Sequence, residues 1–232
     1  MVNTVEKKVD DKAVVKEYFN NKGFDRWRNI YGNGEVNKVQ LNIRDGHQQT
    51  IDTVVDWLKN DGNLNDLTIC DAGCGVGSLT IPLAEEGATI FASDISAKMV
   101  EEAATRIKQQ LSDPRKIRLN VQDLESIRGN YDTVICLDVL IHYPTEDAAE
   151  MIAHLSSLAN KRLVLSFAPK TFLLTVLKRI GEFFPGPSKT TRAYQHKEED
   201  IVAILQKNGF KINRTGMTST NFYYSRILEA VR

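Results

Sequence analysis

Apolar residues along this chain follow two rhythms that take turns. Helical spacing shows most clearly between Thr50 and Leu58, where Ile51, Val54, Val55 and Leu58 fall at i, i+3, i+4 and i+7. Short apolar runs that end in polar or turn residues read as strands at Thr68–Asp71, Ala88–Asp94, Ile117–Val121, Tyr131–Leu140 and Arg162–Phe167. Helical stretches separate them. One spans Leu79–Glu86, one is capped by Ser96 and carries Val100, Ala103, Ala104 and Ile107, and one starts at Pro144 and carries Ala148, Met151, Ile152 and Leu155. A further helix is expected from His196 to Lys207, and Phe210–Ile212 and Tyr223–Ala230 then alternate as an antiparallel pair. This alternation predicts an α/β, Rossmann-like, doubly wound fold with a mostly parallel seven-stranded sheet and an antiparallel C-terminal hairpin.

Two stretches fall outside that rhythm. Near the N-terminus, Val15, Tyr18 and Phe19 share one helical face, and Phe24, Trp27 and Tyr31 share another, with breaks at Asn20–Gly23 and Gly32–Gly34. Residues 1–48 therefore read as a helical arm ahead of a main domain at 49–232; the arm either packs on that domain or folds over a ligand as a lid. Between Ala168 and Pro187 the chain is unusually apolar, and a basic loop with Lys189 and Arg192 follows. This insert, 168–194, leaves the carboxyl end of the fifth strand, the edge where open α/β sheets bind ligands. An apolar segment rimmed by cations suits a large apolar acid, with Trp27, Phe172, Lys189 and Arg192 as candidate contacts.

Composition narrows the function further. A chain of 232 residues supports one sizeable domain. Lysine plus arginine equal aspartate plus glutamate at 30 each, so there is no cationic surplus for a nucleic-acid partner. Cys70, Cys74 and Cys136 lack zinc spacing and predict reduced thiols. The charged first residues resemble neither a signal nor a transit peptide, and no apolar run reaches the roughly 20 residues that span a bilayer. A cytoplasmic protein is expected.

The candidate chemistry centres on Asp71-Ala72-Gly73-Cys74-Gly75-Val76-Gly77, where a strand meets a turn. Glycines at every second position allow a sharp bend and close approach of a ligand. A carboxylate two residues before the first glycine disfavours pyrophosphate and favours a cation, so the ammonium-bearing S-adenosylmethionine fits better than a dinucleotide. Asp94 ends the next strand, 21 residues after Gly73, where an acid accepts hydrogen bonds from ribose hydroxyls. Asp123 lies beyond the third strand, where an adenine amino group could be read. Asp138, His142 and Tyr143 follow the fourth strand.

With these elements assembled, the chain resembles the class I S-adenosylmethionine-dependent methyltransferases. Asp71–Gly77 is similar to their first motif, Asp94 to their acid after the second strand, and Gln122-Asp123 to their adenine-side motif. A closer resemblance, to magnesium protoporphyrin IX O-methyltransferases, rests on Val14–Phe19, Gly23–Trp27, Ile30–Gly32, Val36–Gln40, Asp138–Pro144 and Gly186–Tyr194. It implies esterification of a propionate of magnesium protoporphyrin IX, an early step of chlorophyll synthesis. It also implies a donor site of Asp71, Gly73, Cys74, Gly75, Gly77, Asp94, Ile95, Gln122, Asp123, Leu124, Leu137 and Asp138. Further implications are contact with the porphyrin-binding subunit of magnesium chelatase and a place beside photosynthetic membranes.

A propionate is ionised at neutral pH, with a pKa of about 4 to 5, so no general base and no protein-bound metal are expected. Positioning then carries catalysis, and it can supply about 7–11 kcal/mol. His142 and Tyr31 are the candidate catalytic residues: His142 to hydrogen-bond the propionate or the methionyl end of the donor, and Tyr31 to close over the donor or meet the porphyrin. Two rival readings share the donor residues: a methyltransferase for a quinone precursor or natural-product acid, and a porphyrin carrier with a relic donor site.

Overall fold

The computed structural model describes residues 11–32, 34–170 and 193–232. Two short helices, α1 (Asp11–Asn20) and α2 (Lys22–Ile30), precede a long one, α3 (Lys38–Asp61). Then come β1 (Thr68–Ala72), α4 (Thr80–Glu85), β2 (Thr89–Asp94), α5 (Ala97–Gln110), β3 (Ile117–Val121), β4 (Tyr131–Cys136), α6 (Thr145–Leu158) and β5 (Ala159–Phe167). The chain closes with α7 (Glu198–Lys207), β6 (Lys211–Ser219) and β7 (Tyr224–Val231).

All seven strands form one sheet in the order β3-β2-β1-β4-β5-β7-β6. The neighbours from β3 to β5 pair in parallel, and β7 runs antiparallel to both β5 and β6. Strands β1, β2 and β3 step outward in one direction, and β4 then returns to the other side of β1. That reversal opens a crevice at the carboxyl ends of β1 and β4.

Alternation along the strands explains why both faces are covered. On β1 and β4, Cys70, Ala72, Val134 and Cys136 pack with Met151, Ile152 and Leu155 of α6 and with Leu205 of α7. Ile69 and Ile135 point the other way and pack with Ile51, Val54 and Leu58 of α3 and with Leu83 of α4. The three cysteines are buried and unpaired, as their apolar surroundings predict.

The largest departures from the sequence reading fall in four elements. Helix α3 begins at Lys38 rather than Thr50, so the boundary expected at residue 48 falls inside it. Its first turns bury little, and Val39 and Leu41 are exposed, so no apolar stripe announces them. A capping box does the work there: Asn37 accepts from the Gln40 amide while the Gln40 side chain accepts from the Asn37 amide. Strand β4 ends at Cys136 instead of Leu140, because Asp138 turns the chain with φ of 58°. Strand β5 starts earlier than expected, at Ala159, which pairs with Tyr131 of β4 across a register shift, and β6 runs on to Ser219 because its pairing with β7 continues through exposed and half-exposed residues. Of the 168–194 insert, Phe172, Lys189 and Arg192 lie outside the described residues.

Candidate active site

The glycine turn is fixed by main-chain bonds. Gly73, Gly75 and Gly77 have φ of 88°, 52° and 83°, a region costly for other residues. The amides of Gly73 and Cys74 both donate to the Ser93 carbonyl on β2, at 2.8 and 2.9 Å. A Cβ on Gly73 would meet Cγ2 of Val139 at 2.2 Å, whereas one on Gly75 would project into open space. Opposite the turn, Asp94 accepts from the Gly75 amide at 3.0 Å and the Ser96 amide at 2.8 Å. Burial raises Asp94 above the usual carboxylate range, and these two amides only partly offset it.

Asp71 does not stand at the mouth of this turn. It is buried behind it, where Thr80 at the start of α4 donates to it at 2.6 Å. Burial pushes its carboxyl up to about 6. Its place ties the strand to the helix after the glycines. Asp123 caps the short turn at Leu124–Ser126 through the Ser126 amide and also meets Lys12 of α1 at 3.4 Å.

A cavity of about 350 Å³ opens at the strand switch. Its walls include Gly73, Cys74, Gly75, Asp94, Ile95, Gln122, Asp123, Leu124, Leu137 and Asp138, together with Trp27, Tyr31 and His142. Those expected residues are thus brought together, whereas Asp71 and Gly77 lie behind the wall. The glycine turn, the acid that ends β2 and the Gln122–Leu124 segment form one continuous edge suited to a nucleoside.

The facing wall is aromatic. His142 packs edge-on against Phe19 with centroids 5.2 Å apart, Phe19 lies 6.3 Å from Trp27, and Trp27 lies 5.3 Å from Tyr31. The wall is held by arginines from two other elements. Arg44 of α3 donates to the carbonyls of Ile30, Asn29 and Gly34, and Arg106 of α5 donates to those of Tyr31 and Arg28. These bonds satisfy the last carbonyls of α2, which have no partner inside the helix. Ser96 adds a bond to the Phe19 carbonyl at 3.1 Å. In this structure the arm is docked over the cavity.

Burial pushes His142 down to about 4, so the imidazole is neutral, and its enclosed Nδ1 has no hydrogen-bond partner among the described residues. Burial raises Tyr31 well above its ordinary value, with Asp138 and Asp94 adding to the shift, so the phenol stays protonated. Both residues can therefore donate a hydrogen bond without titrating near neutrality.

Among the cavity residues that escape the sequence reading are His47 and Tyr223. His47 Nδ1 lies 2.8 Å from Asp138 Oδ2, and the Tyr223 hydroxyl donates to the same carboxylate at 2.8 Å. Ser166 donates to it at 3.0 Å and accepts from the Asp138 amide at 2.8 Å. Burial alone would raise Asp138, yet the bonds from His47, Tyr223 and Ser166 outweigh it and hold the carboxyl low. One signal was available, a glycine inside a helix. At Gly46 a Cβ would meet the Tyr223 ring at 2.3 Å.

Comparison with known proteins agrees with this geometry. Residues 136–232 match the family description "Magnesium-protoporphyrin IX methyltransferase C-terminus", and residues 69–161 match a methyltransferase domain. The magnesium-protoporphyrin O-methyltransferase of Synechocystis sp. is 66% identical over 224 residues, 97% of this chain and 97% of that protein. This chain belongs to the magnesium-protoporphyrin O-methyltransferase family. The chloroplastic family member of Arabidopsis thaliana is 59% identical across 95% of this chain and 71% of its own length. The Synechocystis crystal structure with bound S-adenosylhomocysteine superposes with a TM-score of 0.90 at 65% identity, covering 95% of this chain and 99% of that one. A second crystal structure, with bound S-adenosylmethionine, gives 0.86 at 59% identity, covering 97% of this chain and 98% of that one. The fold expected from the sequence, with its seven strands, antiparallel C-terminal pair and N-terminal helices, is the fold of these family structures.

Proposed function

We propose that the protein transfers a methyl group from S-adenosylmethionine to a propionate carboxylate of magnesium protoporphyrin IX, giving the monomethyl ester used in chlorophyll synthesis. The observation that carries this reading is one cavity joining a nucleoside-shaped edge to an aromatic wall that ends in two uncharged donors. Near full-length identity to magnesium-protoporphyrin O-methyltransferases supplies the substrate.

The residues present fit the donor. A side chain at Gly75 would project into the open space, Asp94 faces the same space, and the enclosed Nδ1 of His142 has no partner among the described residues. When bound, S-adenosylmethionine supplies an activated methyl on a sulfonium. Asp94 would hold the ribose and Gln122–Leu124 the adenine. His142 and Tyr31 would donate to the propionate, orienting an oxygen that is already ionised. Phe19 and Trp27 exclude water on one side of the macrocycle, and Phe172, Lys189 and Arg192 remain its proposed contacts on the insert.

No helix among the described residues is long and apolar enough to cross a membrane. Family resemblance and the apolar insert support the further reading that the protein works at the surface of photosynthetic membranes. There it would receive its substrate from the porphyrin-binding subunit of magnesium chelatase.

The test is tritiated methyl transfer to magnesium protoporphyrin, with metal-free protoporphyrin as control. Label entering the magnesium porphyrin is expected, and its absence overturns the substrate. Wild-type turnover in both His142→Ala and Tyr31→Phe would remove these residues from the reaction.

A further inference from the structure

We propose that His47 is a positioning residue for methyl transfer, holding the Tyr31 ring in place by carrying to it the rigidity of the buried Asp138 network. The inference rests on the reading of Tyr31 given above and goes beyond it by naming what fixes that ring.

Tyr31 sits just past the end of α2, with its amide bonded to the Trp27 carbonyl at 2.9 Å. Among the described residues, its ring has two aromatic neighbours. Trp27, at 5.3 Å, belongs to the same helix and moves with it. His47, at 4.2 Å and 33° between planes, belongs to α3, whose residues Ile51, Val54 and Leu58 are packed into the core. Arg44 and Arg106 hold backbone carbonyls around Tyr31 and leave the side-chain torsions free. Among the described residues, the His47 face is therefore the aromatic contact by which the main domain orients this phenol.

His47 is itself held. Its Nδ1 meets Asp138, and Asp138 is fixed by Tyr223, by Ser166 and by its own amide bond to Ser166. The carboxylate sits on a backbone with φ of 58°, the one non-glycine residue at positive φ among the described residues. Such a conformation persists only where the surroundings over-determine it, and it clusters at functional sites.

A purely structural role explains the pair less well. Without His47, Asp138 would still accept from Tyr223 and Ser166, so its removal leaves no orphaned carboxylate. What it removes is the surface behind Tyr31. The contacts run from Asp138 to His47 to Tyr31, along the wall of the cavity.

The experiment is steady-state methyl transfer by the full chain to magnesium protoporphyrin, comparing His47→Ala, His47→Phe, Tyr31→Phe and the double variant His47→Ala/Tyr31→Phe. Misplacing a reacting group by an ångström can cost about a hundredfold, so His47→Ala should lower kcat by about tenfold or more. Donor affinity by calorimetry should stay within about twofold, because the nucleoside edge is untouched. Once the Tyr31 hydroxyl is gone, adding His47→Ala should cost less than about twofold more, since coupled residues are not additive. His47→Phe keeps an aromatic face and should recover part of the lost kcat.

Wild-type kcat in His47→Ala overturns the inference. So does an equal loss in both Tyr31 backgrounds, or a His47→Phe variant no better than His47→Ala. Wild-type turnover in Tyr31→Phe alone would overturn the role of Tyr31 and this inference with it. An impaired Tyr31→Phe beside an unaffected His47→Ala sinks only the inference.

Discussion

The two walls of the cavity are built by different means. The nucleoside edge is main chain: the Gly73, Cys74 and Gly75 amides bind the Ser93 carbonyl and the Asp94 carboxylate within two adjacent, buried strands. The aromatic wall is side chain, contributed mainly by α1, α2 and α3 and by the turn after β4. Its tethers are individual hydrogen bonds and ion pairs from Lys12, Arg44, Ser96 and Arg106. Each such bond is worth on the order of 1 kcal/mol net, whereas the sheet edge shares the cooperative stability of the core. One wall is built into the sheet, and the other is docked against it through side chains.

The strongest test of this contrast is Gly73→Ala. Its φ of 88° and a 2.2 Å approach to Val139 predict a penalty of about 3 kcal/mol at the edge, from strain plus overpacking. Calorimetry should show donor affinity down about a hundredfold, and near-normal binding would mean the edge is not rigid.

Acid titration separates the walls next. His142 is held down at about 4, below its ordinary 6.5, so its stabilising contribution is present above pH 6.5 and is lost as pH falls towards 4. Asp71 has the opposite sign. Raised to about 6, it favours the fold at low pH, and that contribution is lost as pH rises from about 4 to 6. His142→Phe should therefore gain on the wild type, on the order of 2 kcal/mol after allowing for water in the cavity, in urea melts at pH 4.5 against pH 7.5. Asp71→Asn should shift the opposite way across the same interval, and parallel curves for all three proteins would contradict both assignments.

Arg106→Ala comes third. Losing its bonds to the Tyr31 and Arg28 carbonyls should cost arm docking about 1–2 kcal/mol. Faster trypsin cleavage within residues 11–32, with donor affinity unchanged, is the expected pattern; unchanged cleavage would show the arm held by other means. Lys12→Ala should do least. Its pairs with Asp123 and Glu125 are about one-third exposed on the lysine side and should contribute under about 1 kcal/mol. High salt applied to the wild type should reproduce the variant, and a larger, salt-insensitive loss would overturn that ranking.

The same contrast explains what could be read from sequence. The edge was legible because its requirements are local: glycines with positive φ, an acid ending β2 and an acid beyond β3 all lie where the chain's rhythm places them. The inward position of Asp71 was not legible, since spacing does not reveal that Thr80 would draw it behind the turn. His47 and Tyr223 were missed because their significance exists only together. They are far apart in sequence and converge on Asp138, and the first half of α3 offers no apolar stripe to orient it. The aromatic pattern of Phe19, Trp27 and Tyr31 was visible. The arginines that dock it were not, because Arg44 and Arg106 look like any solvated cations on a helix until the carbonyls they meet are known.

Helix α3 is 24 residues long, about 36 Å at 1.5 Å per residue. Its far end is bolted to the sheet, for Asp61 accepts from Arg162 of β5 and Arg214 of β6, and both arginines also grip the buried Glu229 of β7. Its near end stops abruptly at the Asn37 capping box. A rod secured in this way cannot slide along its own axis. Fixed in this way, the rod offers the docked Tyr31 a histidine whose position is set by the sheet itself.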